Sequence, residues 1–349
     1  MKTIQVNASK TYDICIERGL LADAGVRIRT ASGGSTCCVV TDDVVNALYG
    51  DQLVETLSAA GYTVVRFVIE NGESSKNAEN YIRLLNFLAD SQLTRTDVVA
   101  ALGGGVVGDL AGFAAATYLR GIHFVQLPTT LLAAVDSSIG GKTGIDLNAG
   151  KNLAGAFYQP NLVLCDPDVM KTLRDETFKD GVAEIIKYGV IADKTLFSML
   201  AEPIAPRLDD IIARCDAIKR DVVSRDERES GPRKLLNFGH TVGHAIEALS
   251  NFSISHGCAV AVGMAVIARA SAKSGFCSTE TSASIIDRIQ TNGLPTETNI
   301  TADALARAAR SDKKRSGGTI TLVLPKEIGV CTLEEMPVDR LEGFFALGL

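Results

Sequence analysis

Short β-rich apolar runs alternate with helical stretches over the first half of the chain, at residues 37–40, 63–69, 97–102 and 123–127. That alternation predicts an α/β unit with a mainly parallel, Rossmann-like sheet. Met1 to Ile16 alternates apolar and polar positions without a long apolar block, so it predicts an opening strand and not a signal peptide. From about residue 175 to 312 the period lengthens. Segments 178–199, 209–226, 241–249 and 259–274 carry helix-spaced apolar positions with little strand signal between them. Two late runs, 318–324 and 329–333, predict a closing pair of strands. The expected organisation is an α/β domain over residues 1–170 followed by a mostly α-helical domain over 171–349. A boundary between Asp166-Pro167 and Glu176 would leave a cleft where cofactor and substrate can meet.

Composition narrows the function classes. At 349 residues, 46% hydrophobic and 22% charged, the chain is ordinary globular material, long enough for two domains. The net charge of -6 with no long basic run excludes the electrostatic footprint of a nucleic-acid binder. No stretch approaches the roughly 18 apolar residues that span a bilayer, so no membrane association and a cytoplasmic location are expected. The eight cysteines, at 15, 37, 38, 165, 215, 258, 277 and 331, include no CxxC pair and read as reduced thiols acting as small hydrophobes. Cys258 stands apart because it lies two residues after His256.

The strand-like run ending at Leu102 leads into Gly103-Gly104-Gly105-Val106-Val107-Gly108, a G-x-G-x-x-G turn that opens a helix. Backbone amides in such a turn can approach a pyrophosphate, and the helix N-terminus adds favourable field. The match alone is weak, and a tight turn without a ligand is the alternative. Gln126-Leu127-Pro128 stands where a dehydrogenase would carry its ribose-binding carboxylate, which disfavours a plain Rossmann dehydrogenase. The carboxylate could instead come from Thr41-Asp42-Asp43.

Three of the four histidines, His240, His244 and His256, fall close together. The first two are spaced i, i+4, which puts both rings on one helix face, a geometry that divalent metal sites use. A carboxylate would complete a mixed nitrogen and oxygen set, and Glu184 is an ionisable residue on an otherwise apolar helix. A buried salt bridge explains that placement equally well. Cations sit among small residues in a loop-rich region over 136–146 and 150–155, where Lys142 and Lys151 can clamp phosphate or carboxylate. The Gly-Lys-Thr there lacks the upstream glycine of a P-loop. Lys219, Glu229, Arg233 and Asn237 precede the histidines and Asp312-Lys313-Lys314-Arg315 follows them. Each by itself reads as a solvated helix charge.

Taken in order, these segments, with Asn71-Gly72-Glu73-Ser74-Ser75-Lys76, Thr117-Tyr118-Leu119-Arg120-Gly121 and Leu127-Pro128-Thr129-Thr130, closely resemble the 3-dehydroquinate synthase family of sugar-phosphate cyclases over nearly the whole chain. The resemblance implies a lyase of the shikimate pathway to chorismate and aromatic amino acids. It would cyclise 3-deoxy-D-arabino-heptulosonate 7-phosphate to 3-dehydroquinate with loss of phosphate. It implies a divalent metal, zinc or cobalt, held by Glu184, His240 and His256, with His244 left to the substrate. NAD would be held by Asp42, Glu73, Lys76, Gly103, Gly104, Gly105, Asp109, Thr129 and Thr130, with Lys142 and Lys151 alongside, making 1–170 the NAD-binding domain. The implied substrate pocket is Asp136, Lys142, Lys151, Asn152, Lys187, Lys219, Arg233, Asn237 and one of Lys313 and Lys314. Arg120 would reach the phosphate from a neighbouring subunit, hence a homodimer.

On this reading the metal acidifies a substrate hydroxyl, NAD takes a hydride, phosphate is eliminated beside the new ketone, and the hydride returns before ring closure. Many relatives carry an acidic residue where Cys258 stands, which bears on metal preference. The rivals are a sibling cyclase for another sugar phosphate, a metal-dependent polyol or glycerol dehydrogenase, and a non-catalytic binding descendant.

Overall fold

The computed structural model describes residues 1–251, 253–310, 315–316 and 318–349. The chain forms two compact units: Met1–Leu173 with Lys219–Arg228, and Arg174–Ile218 with Glu229–Leu349. The expected split into two consecutive blocks therefore misses the return of Lys219–Arg228 to the first unit.

The first unit runs β1 (Lys2–Asn7), β2 (Thr11–Ile16), α1 (Ala24–Ser32), β3 (Thr36–Asp42), α2 (Asp51–Ala59), β4 (Thr63–Ile69), α3 (Ala78–Asp90), β5 (Val98–Gly103), α4 (Gly105–Thr117), β6 (His123–Pro128), β7 (Lys142–Leu147), β8 (Gly150–Phe157) and β9 (Leu162–Cys165). Seven strands make one sheet in the order β1-β2-β9-β6-β5-β3-β4, parallel except for β1 against β2. Every residue of β5 is buried, as expected of a parallel strand covered on both faces. Its side chains join a core that includes Cys38, Val40, Phe67, Leu84, Leu110 and Phe124. Burial of each large apolar side chain there contributes about 1.5–3 kcal/mol.

The chain steps outward from β3 to β4 and then returns past β3 to β5. The strand order thus reverses between β3 and β5, the position where open α/β sheets bind ligands beyond their carboxyl ends. Asp42 ends β3 and Gly103 ends β5 at that position.

Several sequence-based expectations change. Residues 1–16 are a hairpin and not one strand, because Ala8-Ser9-Lys10 turns the chain and pairs Asn7 with Thr11. Residues 142–157, expected as loops, form the antiparallel ribbon β7–β8, so Lys142, Lys151 and Asn152 lie on paired strands.

The second unit contains α5 (Asp175–Ala192), α6 (Lys194–Met199), the first part of α7 (Leu208–Arg225), α8 (His240–Leu249), α9 (His256–Lys273), α10 (Thr279–Thr291), α11 (Ala302–Arg310), β10 (Arg315–Ser316), β11 (Thr319–Glu327), β12 (Val330–Pro337) and α12 (Leu341–Gly348). The single helix expected over 178–199 breaks at Asp193, whose backbone is extended and whose Oδ1 accepts the N–H of Leu196 at 2.9 Å to cap α6. Helix α9 is buried along almost its whole length, and its small residues let it lie close to α8. A Cβ on Gly263 would stand 2.0 Å from the carbonyl oxygen of Gly239, so no larger residue fits that crossing. The late strand pair is present as the β11–β12 hairpin. Lys313 and Lys314 lie outside the described residues. None of the eight cysteines is in a disulfide, and five of them are buried. Among the described residues no helix is long and apolar enough to cross a membrane.

Candidate active site

In the first unit the glycine turn meets its neighbours closely. Gly103 carbonyl oxygen accepts the N–H of Thr129 at 3.0 Å, tying the ends of β5 and β6. A Cβ on Gly104 would come within 2.9 Å of the Thr130 methyl, and one on Gly105 within 3.1 Å of Ser137 Oγ. The absence of side chains here lets Thr130 and Ser137 pack directly against the N-terminus of α4. Thr129 Oγ1 and Ser137 Oγ are buried beside this turn without a hydrogen-bond partner. Two orphaned hydroxyls at a glycine-flanked helix N-terminus fit the phosphates of a dinucleotide. Asp42 Oδ1 accepts the N–H of Val45 at 2.9 Å, which holds its carboxylate at the strand's end.

Lys76 organises a second group. Its buried Nζ lies 2.9 Å from Glu73 Oε1, 3.3 Å from Asp109 Oδ2 and 3.8 Å from Asp146 Oδ1. Lys151 Nζ approaches Glu73 Oε1 at 3.9 Å. Burial pushes the Asp109 carboxyl up to about 6 against the pull of Lys76. Burial also opposes ionisation of Lys76, yet its three carboxylate neighbours raise the ammonium above its usual range. Glu73, Lys76, Asp109 and Lys151 thus come together. Asp146 joins them unforeseen. It also accepts the N–H of Asn152 at 2.7 Å, across from its own N–H bond to the carbonyl of Lys76 at 2.8 Å. Asn152, with φ 54, is held in a left-handed conformation by that contact.

Asp136 and Lys219, far apart in sequence, pair within the same unit. Lys219 Nζ donates to Asp136 Oδ1 at 2.8 Å and to the Asp136 carbonyl. Lys142 is exposed on β7. Arg120 is exposed in a strained turn, where Leu119 and Arg120 have φ of 50 and 67.

In the second unit Glu184, His240 and His256 converge. Glu184 on α5 is fully buried, and its Oε1 lies 3.2 Å from His240 Nε2 and 3.3 Å from His256 Nε2. Its Oε2 faces Lys187 Nζ, itself 1% exposed. Despite these close nitrogens, neither carboxylate oxygen has a partner in hydrogen-bond geometry. The three donor atoms lie within 4.8 Å of one another. A buried, geometrically unsatisfied carboxylate facing two imidazole nitrogens is the donor set of a three-ligand divalent site.

Protonation agrees with that. Burial raises the Glu184 carboxyl, but Lys187 and His240 outweigh it and hold the group well below the usual carboxylate range. Burial lowers His240 to about 4, against Glu184. For His256 the burial effect is overcome by Glu184 and Glu247, which push it up to about 10. The proton so held is the one a divalent cation would displace.

The i, i+4 pair does lie on one helix, α8, yet only His240 faces Glu184. The His244 ring, exposed, stands 5.5 Å from that of His240 and 6.1 Å from that of His256. Arg233 and Asn237 occupy the turn before α8, Arg233 buried and Asn237 Nδ2 donating to Glu229 Oε1 at 2.6 Å. Two residues of this unit escaped sequence reasoning. Asp180, one turn before Glu184, accepts the N–H of Gly257 at 2.9 Å. Glu247 meets His256 Nδ1 at 3.3 Å. Its i, i+7 spacing from His240 was the available signal.

Residues 66–180 match the family described as 3-dehydroquinate synthase N-terminal, and residues 181–315 match 3-dehydroquinate synthase C-terminal. The 3-dehydroquinate synthase of Clostridium acetobutylicum is 42% identical over 344 residues, covering 96% of this chain and 97% of that protein. That of Clostridium botulinum is 43% identical, covering 97% and 99%. Among solved structures, the 2-epi-5-epi-valiolone synthase of Streptomyces hygroscopicus with NAD+ and Zn2+ bound aligns with a TM-score of 0.86 at 26% identity, covering 98% of this chain and 97% of that one. A 2-deoxy-scyllo-inosose synthase complexed with carbaglucose-6-phosphate, NAD+ and Co2+ aligns with a TM-score of 0.89 at 24% identity over the whole of both chains, a likeness of fold.

Proposed function

The chain belongs to the 3-dehydroquinate synthase family and is a lyase that cyclises the heptulosonate phosphate to 3-dehydroquinate, and from that premise we propose how its residues divide the work. Glu184, His240 and His256 hold a divalent cation, zinc or cobalt. Asp42, Thr129, Thr130, the Gly103 to Gly105 turn and the Glu73, Lys76 and Asp109 group hold NAD. When bound, the cation supplies Lewis-acid polarisation of a substrate hydroxyl and the dinucleotide supplies reversible hydride transfer. The observation that carries this reading is the buried Glu184 carboxylate, facing two imidazole nitrogens yet lacking hydrogen-bond geometry with either.

The remaining residues bind and orient. Lys142, Lys151, Asn152, Lys187, Lys219, Arg233 and Asn237 place cations and amides for a substrate with phosphate at one end and carboxylate at the other, which fixes its direction. Asp136 aims the Lys219 ammonium, since the two are paired at 2.8 Å. His244 holds a proton at a ring nitrogen for exchange with the departing phosphate. Arg120 serves a neighbouring subunit in a homodimer, a reading supported by its exposed, strained turn.

The test is phosphate release from the heptulosonate phosphate with NAD and Zn2+ or Co2+, with and without chelator. Release without NADH accumulation, abolished by chelator, is the expected result. Steady NADH production from a simple polyol, unaffected by Lys142→Ala or Lys151→Ala, would replace this reading with a dehydrogenase. For the dimer, mixing inactive Arg120→Ala and Lys187→Ala chains should restore part of the activity, and no recovery counts against a shared site.

A further inference from the structure

His256 can serve as a ligand through one nitrogen only if its other nitrogen carries the proton. Its Nε2 faces Glu184 Oε1 at 3.3 Å, and its Nδ1 faces Glu247 Oε2 at 3.3 Å. The ring of His240 is arranged the same way, with Nε2 toward Glu184 and Nδ1 at 3.1 Å from the carbonyl oxygen of Phe238. Both imidazoles therefore turn Nε2 inward and have an acceptor behind Nδ1. The two acceptors differ in kind: His240 has a neutral carbonyl, whereas His256 has a carboxylate. Glu247 is 4% exposed, so water does not screen that contact.

The position of Glu247 is set by packing. It lies on α8, seven residues after His240, and so shares that residue's helix face. Gly243 brings α8 against α9 near its N-terminal end, since a Cβ there would lie 3.0 Å from Val260 Cα. One helix thus supplies a ligand directly and the group that orients the ligand on its neighbour.

We propose that Glu247 is a positioning residue of the cation site: by accepting the Nδ1 proton of His256 it fixes the tautomer that leaves Nε2 free to coordinate, and it strengthens that nitrogen as a donor without touching the cation. This rests on the metal reading above. Carboxylates placed behind ligand histidines typically contribute 10–100-fold in metal affinity. A competing role exists on the same atoms, because His244, Glu247 and His256 also offer donor atoms within 4.8 Å of one another, a set fit for a second cation.

The experiment measures Co2+ and Zn2+ binding by chelator-stripped full-length protein, in competition with a chromophoric chelator, for the unsubstituted chain, Glu247→Gln, Glu247→Leu, Glu184→Gln and Val242→Ala. The unsubstituted chain should bind one cation. Glu247→Gln keeps an acceptor for Nδ1 but not its charge, so affinity should fall only several-fold. Glu247→Leu should lose about 10–100-fold and shift the visible absorption of bound Co2+. Val242→Ala removes buried volume from the same helix two residues from His240, and so on another face, and its affinity should stay close to that of the unsubstituted chain. Equal affinity in Glu247→Gln, Glu247→Leu and the unsubstituted chain would overturn the inference while leaving the metal reading intact. Two cations per chain, falling to one in Glu247→Leu, would also overturn it and make Glu247 a ligand. No binding by the unsubstituted chain, or undiminished binding by Glu184→Gln, would remove the metal reading itself and this inference with it.

Discussion

Asp180 Oδ1 accepts the backbone N–H of Gly257 at 2.9 Å, and so the helix that carries Glu184 caps the helix that begins with His256. Ser255, the residue in the capping position, makes no side-chain cap of its own. A carboxylate at this end also complements the positive pole of α9. Glu184 and Asp180 are four residues apart on one face of α5, so a single helix face sets both the ring's contact and its backbone origin.

That contact leaves no space at residue 257. A Cβ there would stand 2.3 Å from Asp180 Cα, a backbone atom that cannot swing away. Gly257→Ala should lower stability by about 1–3 kcal/mol and abolish most cation retention. Asp180→Asn, which keeps the acceptor oxygen, should stay near the unsubstituted protein, while Asp180→Ala should lose about 1 kcal/mol. Denaturant unfolding and metal content per chain check both, and full metal content in Gly257→Ala would contradict the argument.

Lys76 is the central cation among Glu73, Asp109 and Asp146. Lys76→Met should leave those carboxylates facing one another without their cation, and because they are partly open to water the cost should be about 1 kcal/mol. NAD affinity should fall with it. Isothermal titration with NAD and urea denaturation give the two readings. A variant as stable as the parent would show that the group titrates instead of resisting.

Asp97 supplies a pH dependence. Burial disfavours its charge, yet its carboxylate accepts from the N–H groups of Thr94, Thr36 and Ser35 at 2.7–2.9 Å and from the Thr94 hydroxyl, which hold it down to about 2. The folded value lies below the unfolded one of about 3.9. Its contribution is therefore fully present above about pH 4 and is lost as pH falls toward about 2. Asp97→Asn should flatten acid unfolding across that window and cost about 2–4 kcal/mol at neutral pH, since several bonds to a charged group weaken together. Circular dichroism against pH tests the sign.

Cation removal should be visible without any substrate. A ligand present at 100 times its dissociation constant stabilises by about 2.7 kcal/mol, which for a unit of this size raises the midpoint by about 5–10 °C. Scanning calorimetry of stripped protein with and without Zn2+ should show that rise, and Glu184→Gln should lack it. Equal midpoints for stripped and reloaded protein would speak against a bound cation.

Local pattern made much of this legible. The buried strands at 37–40 and 97–102 show as unbroken apolar runs because a parallel strand hides both faces, and the glycine turn shows because close backbone approach needs residues without side chains. The histidine spacing marked α8 but suggested His244 as His240's partner, since spacing along a helix says which rings share a face and not what stands opposite. The ribbon carrying Lys151 and Asn152 read as loop because its glycines and polar residues carry no strand period.

The residues themselves, read in order, determine the family, the α/β and helical halves and the chemical types at each candidate position. Tertiary structure alone decided that Glu184 faces His240 and His256, that Asp146 joins Lys76, that Asp180 caps the helix of His256 and that Glu247 stands behind its ring. The physical reason is range. Hydrophobic period and turn chemistry act over a few residues and leave a mark in the sequence. A carboxylate's meaning depends on which distant helix packing brings against it, and before that packing a buried ligand and a solvated charge look the same.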